Sequence, residues 1–239
     1  MTILVLGASG TLGQSCVRLL AEEHRVIAAD LRAPSIPEVR SVALDVTDVA
    51  AVREVIQRID HEDELTGVIY AAGLNTTGYI DSIDWVDYER VMAVNLRGAF
   101  HVGAALLGIL RGRPRPLGTV FISSTAGLVG ESGGSIYCAS KFGLIGFTQS
   151  FAGEIAPFGG RANVVCPGNI DSPMLTNLAS KIGDREGRTG AEVLHQWISS
   201  SAFKRLITPD EVAHTCSWLV TNKSSGISGQ TIVVDGARA

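Results

Sequence analysis

The chain alternates between short continuous apolar runs and longer segments whose apolar residues recur every three to four positions, and this alternation predicts its elements. Ile3 to Leu6, Arg25 to Ala29, Ser41 to Leu44, Gly67 to Tyr70, Thr119 to Ile122, Arg161 to Val165 and Gln230 to Val234 read as strands. Such short, apolar runs suit parallel strands buried on both faces. Helices are predicted from Ser15 to Glu23, from an Asp48 N-cap to about Ile59, from an Asp84 N-cap to about Leu110, from Ser135 to Ile155, and from Pro209 to about Val220. In the third of these, Val91, Val94, Ala99, Val102, Leu106 and Leu110 keep helical spacing. Pro34 and Pro37 keep the stretch after the second strand irregular, and Pro157 and Gly159 stop the fourth helix.

Residues 169–208 leave this rhythm, with polar helical pieces, Gly183, Gly187 and Gly190, and few strand signals. A stretch of that length in a compact domain reads as a lid over a site. The βαβ alternation predicts one doubly wound (Rossmann-type) α/β domain over residues 1–239, with about seven parallel strands and helices on both faces.

Composition narrows the function classes. Hydrophobic residues make up 46% and charged residues 18% of the 239, enough for a sizeable core and far from a disordered composition. A net charge of −4 gives no basic footprint, so a nucleic-acid partner is not expected. Arg111, Arg113 and Arg115, interrupted by Pro114 and Pro116, read as a solvated loop. Cys16, Cys138, Cys166 and Cys216 sit singly, without zinc spacing, and read as reduced packing residues, so no metal is expected. The apolar run at the N-terminus breaks at Gly7, too soon for a membrane or signal helix. The expectation is a soluble cytoplasmic protein with no membrane partner.

The candidate chemistry begins at Gly7-Ala8-Ser9-Gly10-Thr11-Leu12-Gly13, between the first strand and the first helix. Its G-x-x-G-x-x-G spacing differs from the G-x-G-x-x-G dinucleotide fingerprint, but it meets the same need. Backbone without Cβ atoms can approach a pyrophosphate, and a helix N-terminus faces the charge. Asp30, followed by Leu31, ends the second strand, where a carboxylate can accept hydrogen bonds from adenosine ribose hydroxyls and repel a 2′-phosphate. Asp30 argues for NAD over NADP; Arg32 is the contrary signal. Further along, Tyr137 and Lys141 stand four residues apart and share one helix face.

With these residues in view, the chain resembles the short-chain dehydrogenase/reductases over almost its full length. Tyr137 and Lys141 match the family's Tyr-x-x-x-Lys motif, Ser124, thirteen positions upstream, matches its serine, and Asn95 matches its helical asparagine. Ala71-Ala72-Gly73 resembles the segment lining the adenine side, Asp45-Val46 the pair contacting adenine, and Pro167-Gly168 the loop beside the nicotinamide. The chain departs from the family pattern in three places. Thr11 stands where a middle glycine is usual, Ala71 replaces an asparagine, and the tail Val234-Asp235-Gly236-Ala237 lacks a second glycine.

The resemblance implies a catalytic set of Asn95, Ser124, Tyr137 and Lys141. Oxidation of a secondary alcohol needs a base for the hydroxyl proton, and Tyr137 is the candidate. An unperturbed phenol at about 10 is too weak a base at neutral pH, so a nearby cation, Lys141, is expected to stabilise the phenolate. Lys141 would also bind the nicotinamide ribose, Ser124 would hold the substrate oxygen, and the resemblance gives Asn95 a water that passes the proton onward. It also places Ile170 and Ser172 beside the cofactor.

Asn169 and His195 are the candidate substrate contacts, with Asn177, Gln196 and Trp197 in the same lid. These polar residues suit a hydroxylated small molecule, and no dense apolar stripe calls for a steroid or a long acyl chain. The run Asn169-Ile170-Asp171-Ser172-Pro173-Met174 and the stretch Phe203-Lys204-Arg205-Leu206 also resemble sugar-alcohol, acetoin and hydroxybutyrate dehydrogenases. The expectation is NAD-dependent interconversion of a secondary alcohol (polyol, sugar or small hydroxy acid) and its ketone. The apolar surface of the two long helices suggests a homotetramer. The alternatives are an NADPH-dependent 3-oxoacyl-carrier-protein-type ketoreductase and, in another class, a non-catalytic NAD(H)-binding redox sensor.

Overall fold

A seven-stranded parallel sheet forms the centre of the computed structural model, which describes residues 1–237. In chain order its elements are β1 (Thr2–Leu6), α1 (Thr11–Ala21), β2 (Arg25–Asp30), β3 (Arg40–Ala43), α2 (Val49–Asp63), β4 (Leu65–Tyr70), α3 (Trp85–Met92), α4 (Gly98–Gly112), β5 (Leu117–Ile122), α5 (Ser135–Ile155), β6 (Gly160–Pro167), α6 (Pro173–Glu186), α7 (Gly190–Ser200), α8 (Pro209–Val220) and β7 (Thr231–Val234). The strand order is β3-β2-β1-β4-β5-β6-β7. The chain reverses direction of travel across the sheet between β1 and β4, and the carboxyl ends of those strands open the crevice where such folds bind ligands.

Successive residues of each strand feed opposite layers, which is why the strands read as unbroken apolar runs. Leu4, Leu6, Ile27, Val68, Tyr70 and Phe121 pack with α2, α4 and α5 on one face. Ile3, Val5, Ala28, Ile69, Val120 and Val165 pack with α1 and α8 on the other. The expected caps form: Asp48 accepts from the amides of Ala50 and Ala51, and Asp84 from Val86. The helix at Pro209 starts on a Thr208–Glu211 capping box.

Three sequence expectations are corrected. The first helix begins at Thr11, inside the glycine turn, rather than at Ser15. The long helix from Asp84 to Leu110 is divided by a π-turn over Ala93–Arg97. There the Gly98 amide bonds to Ala93 O, and the released Val94 carbonyl accepts from the Tyr70 hydroxyl at 2.5 Å. Gly98 makes this possible, because a Cβ at that position would lie 2.3 Å from the Tyr70 oxygen. Arg115 is not solvated: its guanidinium is buried against Asp60 and donates to Leu65 O at 3.0 Å.

Candidate active site

The glycine turn is tied to β2, with the Gly7 and Ala8 amides both donating to Ala29 O, at 2.9 and 3.1 Å. Gly7 adopts φ +79°, and a Cβ there would collide with Ala72 N at 2.5 Å. A Cβ on Gly13 would lie 2.1 Å from Gly7 O. The first turn of α1 therefore packs directly onto the loop and presents backbone, not side chains, to the crevice. At the end of β2, Asp30 accepts from Ser9 N (2.9 Å) through one carboxylate oxygen and from Leu31 N (2.8 Å) through the other.

The end of β5 meets α5 just as closely. Ser123 Oγ donates to Lys141 O at 2.9 Å, and Ser124 Oγ accepts from Ala126 N at 3.1 Å. Ser124 and Tyr137 are joined through their hydroxyls. Burial pushes the Tyr137 phenol up to about 12; the Ser124 hydrogen bond pulls it back, and the Glu131 carboxylate adds a smaller upward push. Lys141 lies one helical turn on. Its Nζ is buried, donates to Ile122 O at 2.8 Å and stands 5.6 Å from the centre of the Tyr137 ring. Burial lowers its ammonium to about 8. Gly73 lies against both groups: a Cβ there would sit in ordinary contact, 3.5 Å from Lys141 Nζ and 3.7 Å from Asn95 Oδ1.

Asn95 projects from the π-turn and is fully buried. Its Nδ2 donates to Leu74 O (2.9 Å) and Ser140 Oγ (3.0 Å), and its Oδ1 accepts from Leu74 N (2.8 Å). Ser140 Oγ in turn donates to Tyr137 O at 2.7 Å. Asn95 thus staples the loop after β4 to the helix that carries Tyr137 and Lys141.

One cavity of about 890 Å³ joins these parts, within the size range of small-molecule sites. Gly7, Gly10, Thr11, Leu12, Gly13, Asp30, Leu31, Asp45, Val46, Ala71, Ala72 and Gly73 line one end. Ser124, Tyr137, Lys141, Pro167, Gly168, Asn169, Ile170 and Ser172 line the middle. Ser172 also caps α6, accepting from Leu175 N at 3.2 Å. A dinucleotide fits this arrangement. The bare turn suits a pyrophosphate, the Asp30 carboxylate is of the kind that accepts from ribose hydroxyls, and Tyr137 and Lys141 line the same cavity.

Four sequence candidates do not line the cavity. Ser9 is exposed behind the turn and acts through its amide on Asp30. Asn95 lies beneath the cavity wall. His195 is exposed, because Val193 and Trp197, four residues apart on α7, face the cavity and turn position 195 away. Asn177 is likewise exposed and absent from the lining. The lid is also more apolar than its composition suggested. Met174, Leu178 and Ile182 recur every four residues along the cavity side of α6, and that periodicity was the signal available in the sequence. Arg185, one turn further, is another lining residue that sequence reasoning missed.

Comparison with known proteins agrees with this geometry. Residues 8–237 match the family profile described as enoyl-(acyl carrier protein) reductase. The chain is 29% identical to 3-oxoacyl-[acyl-carrier-protein] reductase FabG of Thermotoga maritima, over 98% of this chain and 95% of that protein. It is 30% identical to galactitol 2-dehydrogenase of Agrobacterium fabrum, again over 98% and 95%. Its fold superposes on the crystal structure of sorbitol-6-phosphate 2-dehydrogenase SrlD from Erwinia amylovora with a TM-score of 0.90, at 26% identity and 98% coverage of each chain. On its sequence, its seven-stranded parallel sheet and the full length of these matches, the chain belongs to the short-chain dehydrogenase/reductase family.

Proposed function

We propose that this protein is an NAD-dependent dehydrogenase that interconverts a secondary alcohol and its ketone, with Tyr137 as the general acid/base. The observation that carries the reading is the half-buried Tyr137 phenol, hydrogen-bonded to Ser124 and one helical turn from Lys141, in a cavity continuous with the glycine turn. The nicotinamide, when bound, supplies the hydride acceptor.

Ser124 holds the substrate oxygen: its Oγ is fixed by the Ala126 amide, and its one proton, directed at Tyr137 in the free site, turns to the substrate oxygen when substrate binds. Tyr137 takes the hydroxyl proton as the carbinol carbon gives up its hydride, and returns it in the reverse direction. With its phenol held near 12 by burial, Tyr137 rests in the protonated form, the one that donates to a ketone. Lys141, lowered to about 8, lies close enough to neutrality to exchange a proton in the physiological range. Asn95 acts by position: all three of its hydrogen bonds fix Leu74 and Ser140, so the stapled backbone, rather than its side chain, would border any proton path.

Asp30 supports NAD as the cofactor. Its two oxygens are held by backbone amides at the end of β2, which keeps negative charge where a 2′-phosphate would have to sit. A second reading, an NADPH-dependent 3-oxoacyl reductase, draws on the FabG relative and on exposed Arg32 beside Asp30. Exposed Trp85 and Val86 on α3, Phe100 on α4 and Phe142 on α5 support assembly of the long helices against a second copy.

The test is reduced-cofactor absorbance with a panel of polyols, sugars, hydroxy acids and short diols, run with NAD and NADP in parallel. Turnover with NAD on one substrate group is the expected result. Turnover with NADP alone would replace this reading with the reductive one, and cofactor binding without any turnover would point to a sensor.

A further inference from the structure

At the far end of the cavity the lining is charged, with Arg185 and Arg188 beside Glu131 and Glu186. Arg185, on the last turn of α6, lies over Gly133, the residue before the N-cap of the helix that bears Tyr137. Gly133 has φ +75°, and a Cβ there would meet Arg185 Nη1 at 2.6 Å, so the bare backbone is what lets the guanidinium in. Its Nη1 donates to Thr77 Oγ1 at 2.6 Å, and its plane lies 4.9 Å from the Tyr79 ring centre. The guanidinium is therefore fixed rather than waving in solvent.

The neighbouring carboxylate is shared between two arginines and lies closer to the other. Glu186 Oε2 pairs with Arg188 Nη2 at 2.6 Å, whereas Glu186 Oε1 stays 3.7 Å from Arg185 Nη2, beyond hydrogen-bond length. Arg188 also donates to Gln196 at 2.7 Å. The Nε atoms of both arginines are buried with no hydrogen-bond partner among the described residues. The Nε atoms are out of a ligand's reach, so recognition of a carboxylate or phosphate falls to the Nη groups of the fixed Arg185 fork, which lines the cavity.

Resting on the dehydrogenase reading, we propose that the substrate is a secondary alcohol with an anionic terminus, and that Arg185 is the specificity-determining residue that binds that terminus while Tyr137 and Ser124 hold the carbinol. Met174, Leu178 and Ile182 lie between the nicotinamide loop and Arg185 along α6 and contact the part of the substrate joining the two ends.

The test compares matched pairs on the NAD complex of the full chain, which binds a ketone without reducing it, by titration calorimetry: a keto acid against its methyl ester, and a ketose phosphate against the free ketose. The wild type is expected to bind the anionic member of at least one pair about tenfold tighter or more, and the responding pair distinguishes a carboxylate from a phosphate substrate. In Arg185→Met that ratio should fall to near one, with Arg185→Lys intermediate and both variants' melting curves checked for folding. A merely structural role for Arg185 would weaken both members alike and leave the ratio intact, which overturns the proposal. So does a wild type that does not discriminate in either pair. Absence of turnover alongside intact discrimination would count against the dehydrogenase reading instead.

Discussion

Replacing Lys141 by Met should stabilise the protein at neutral pH while removing its activity. The Lys141 ammonium is buried, and burial lowers it from 10.5 to about 8. That difference corresponds to about 3 kcal/mol of folding free energy lost to holding the charge out of water. Met keeps the apolar stem but gives up the 2.8 Å bond to Ile122 O, a loss of about 1–2 kcal/mol. The net is a gain of about 1–2 kcal/mol near pH 7, or roughly 2–8 °C in Tm for a chain of this size. The sign of the pH dependence follows from the lowered value. Below about pH 8 both folded and unfolded wild type carry the proton, and the penalty is complete. As pH rises from about 8 towards 10.5 the folded state sheds its proton first, and the penalty fades. Calorimetric melting of wild type and Lys141→Met across that range should show an advantage for Met that shrinks to nothing by roughly pH 9.5–10. A variant less stable than wild type at pH 7, or an advantage indifferent to pH, would refute the reasoning.

Other substitutions probe neighbouring parts of the site. Asp30→Asn keeps the side chain's shape and acceptor oxygen but removes the charge, so the NAD-to-NADP ratio of kcat/KM should fall about tenfold or more. A wild type that prefers NADP, or a ratio unmoved by the substitution, contradicts the role given to Asp30. Asn95→Ala strips three hydrogen bonds from a fully buried staple and should lower stability by about 3 kcal/mol, roughly 6–12 °C in Tm. A Tm within about 2 °C of wild type would show that Leu74 and Ser140 do not depend on it.

What the sequence revealed and what it hid divide along the range of the interactions. The strands were legible because both faces of the sheet are covered, so Ile3 to Leu6 or Thr119 to Ile122 read as unbroken apolar runs. The glycine turn and the Tyr137–Lys141 pair were legible because their chemistry is encoded in local spacing. The π-turn was not, since it depends on the Tyr70 hydroxyl reaching a carbonyl 24 residues away and on Gly98 leaving room for it. His195 was misplaced by helix phase: polar composition alone does not show that Val193 and Trp197 set the inner face of α7. The first helix was started too late because residues 11 to 14 look like part of the turn, although their backbone is already helical. Arg185 could be placed only once α6 was seen folding back over Gly133.

Cofactor reduction by wild type and Tyr137→Phe, measured side by side with the best substrate from the panel, tests the central claim most directly. Loss of the hydroxyl should lower kcat by about 10²–10⁴ while NADH binding stays within a few-fold. A Phe variant that keeps most of the wild-type rate would remove Tyr137 from the chemistry and contradict the mechanism.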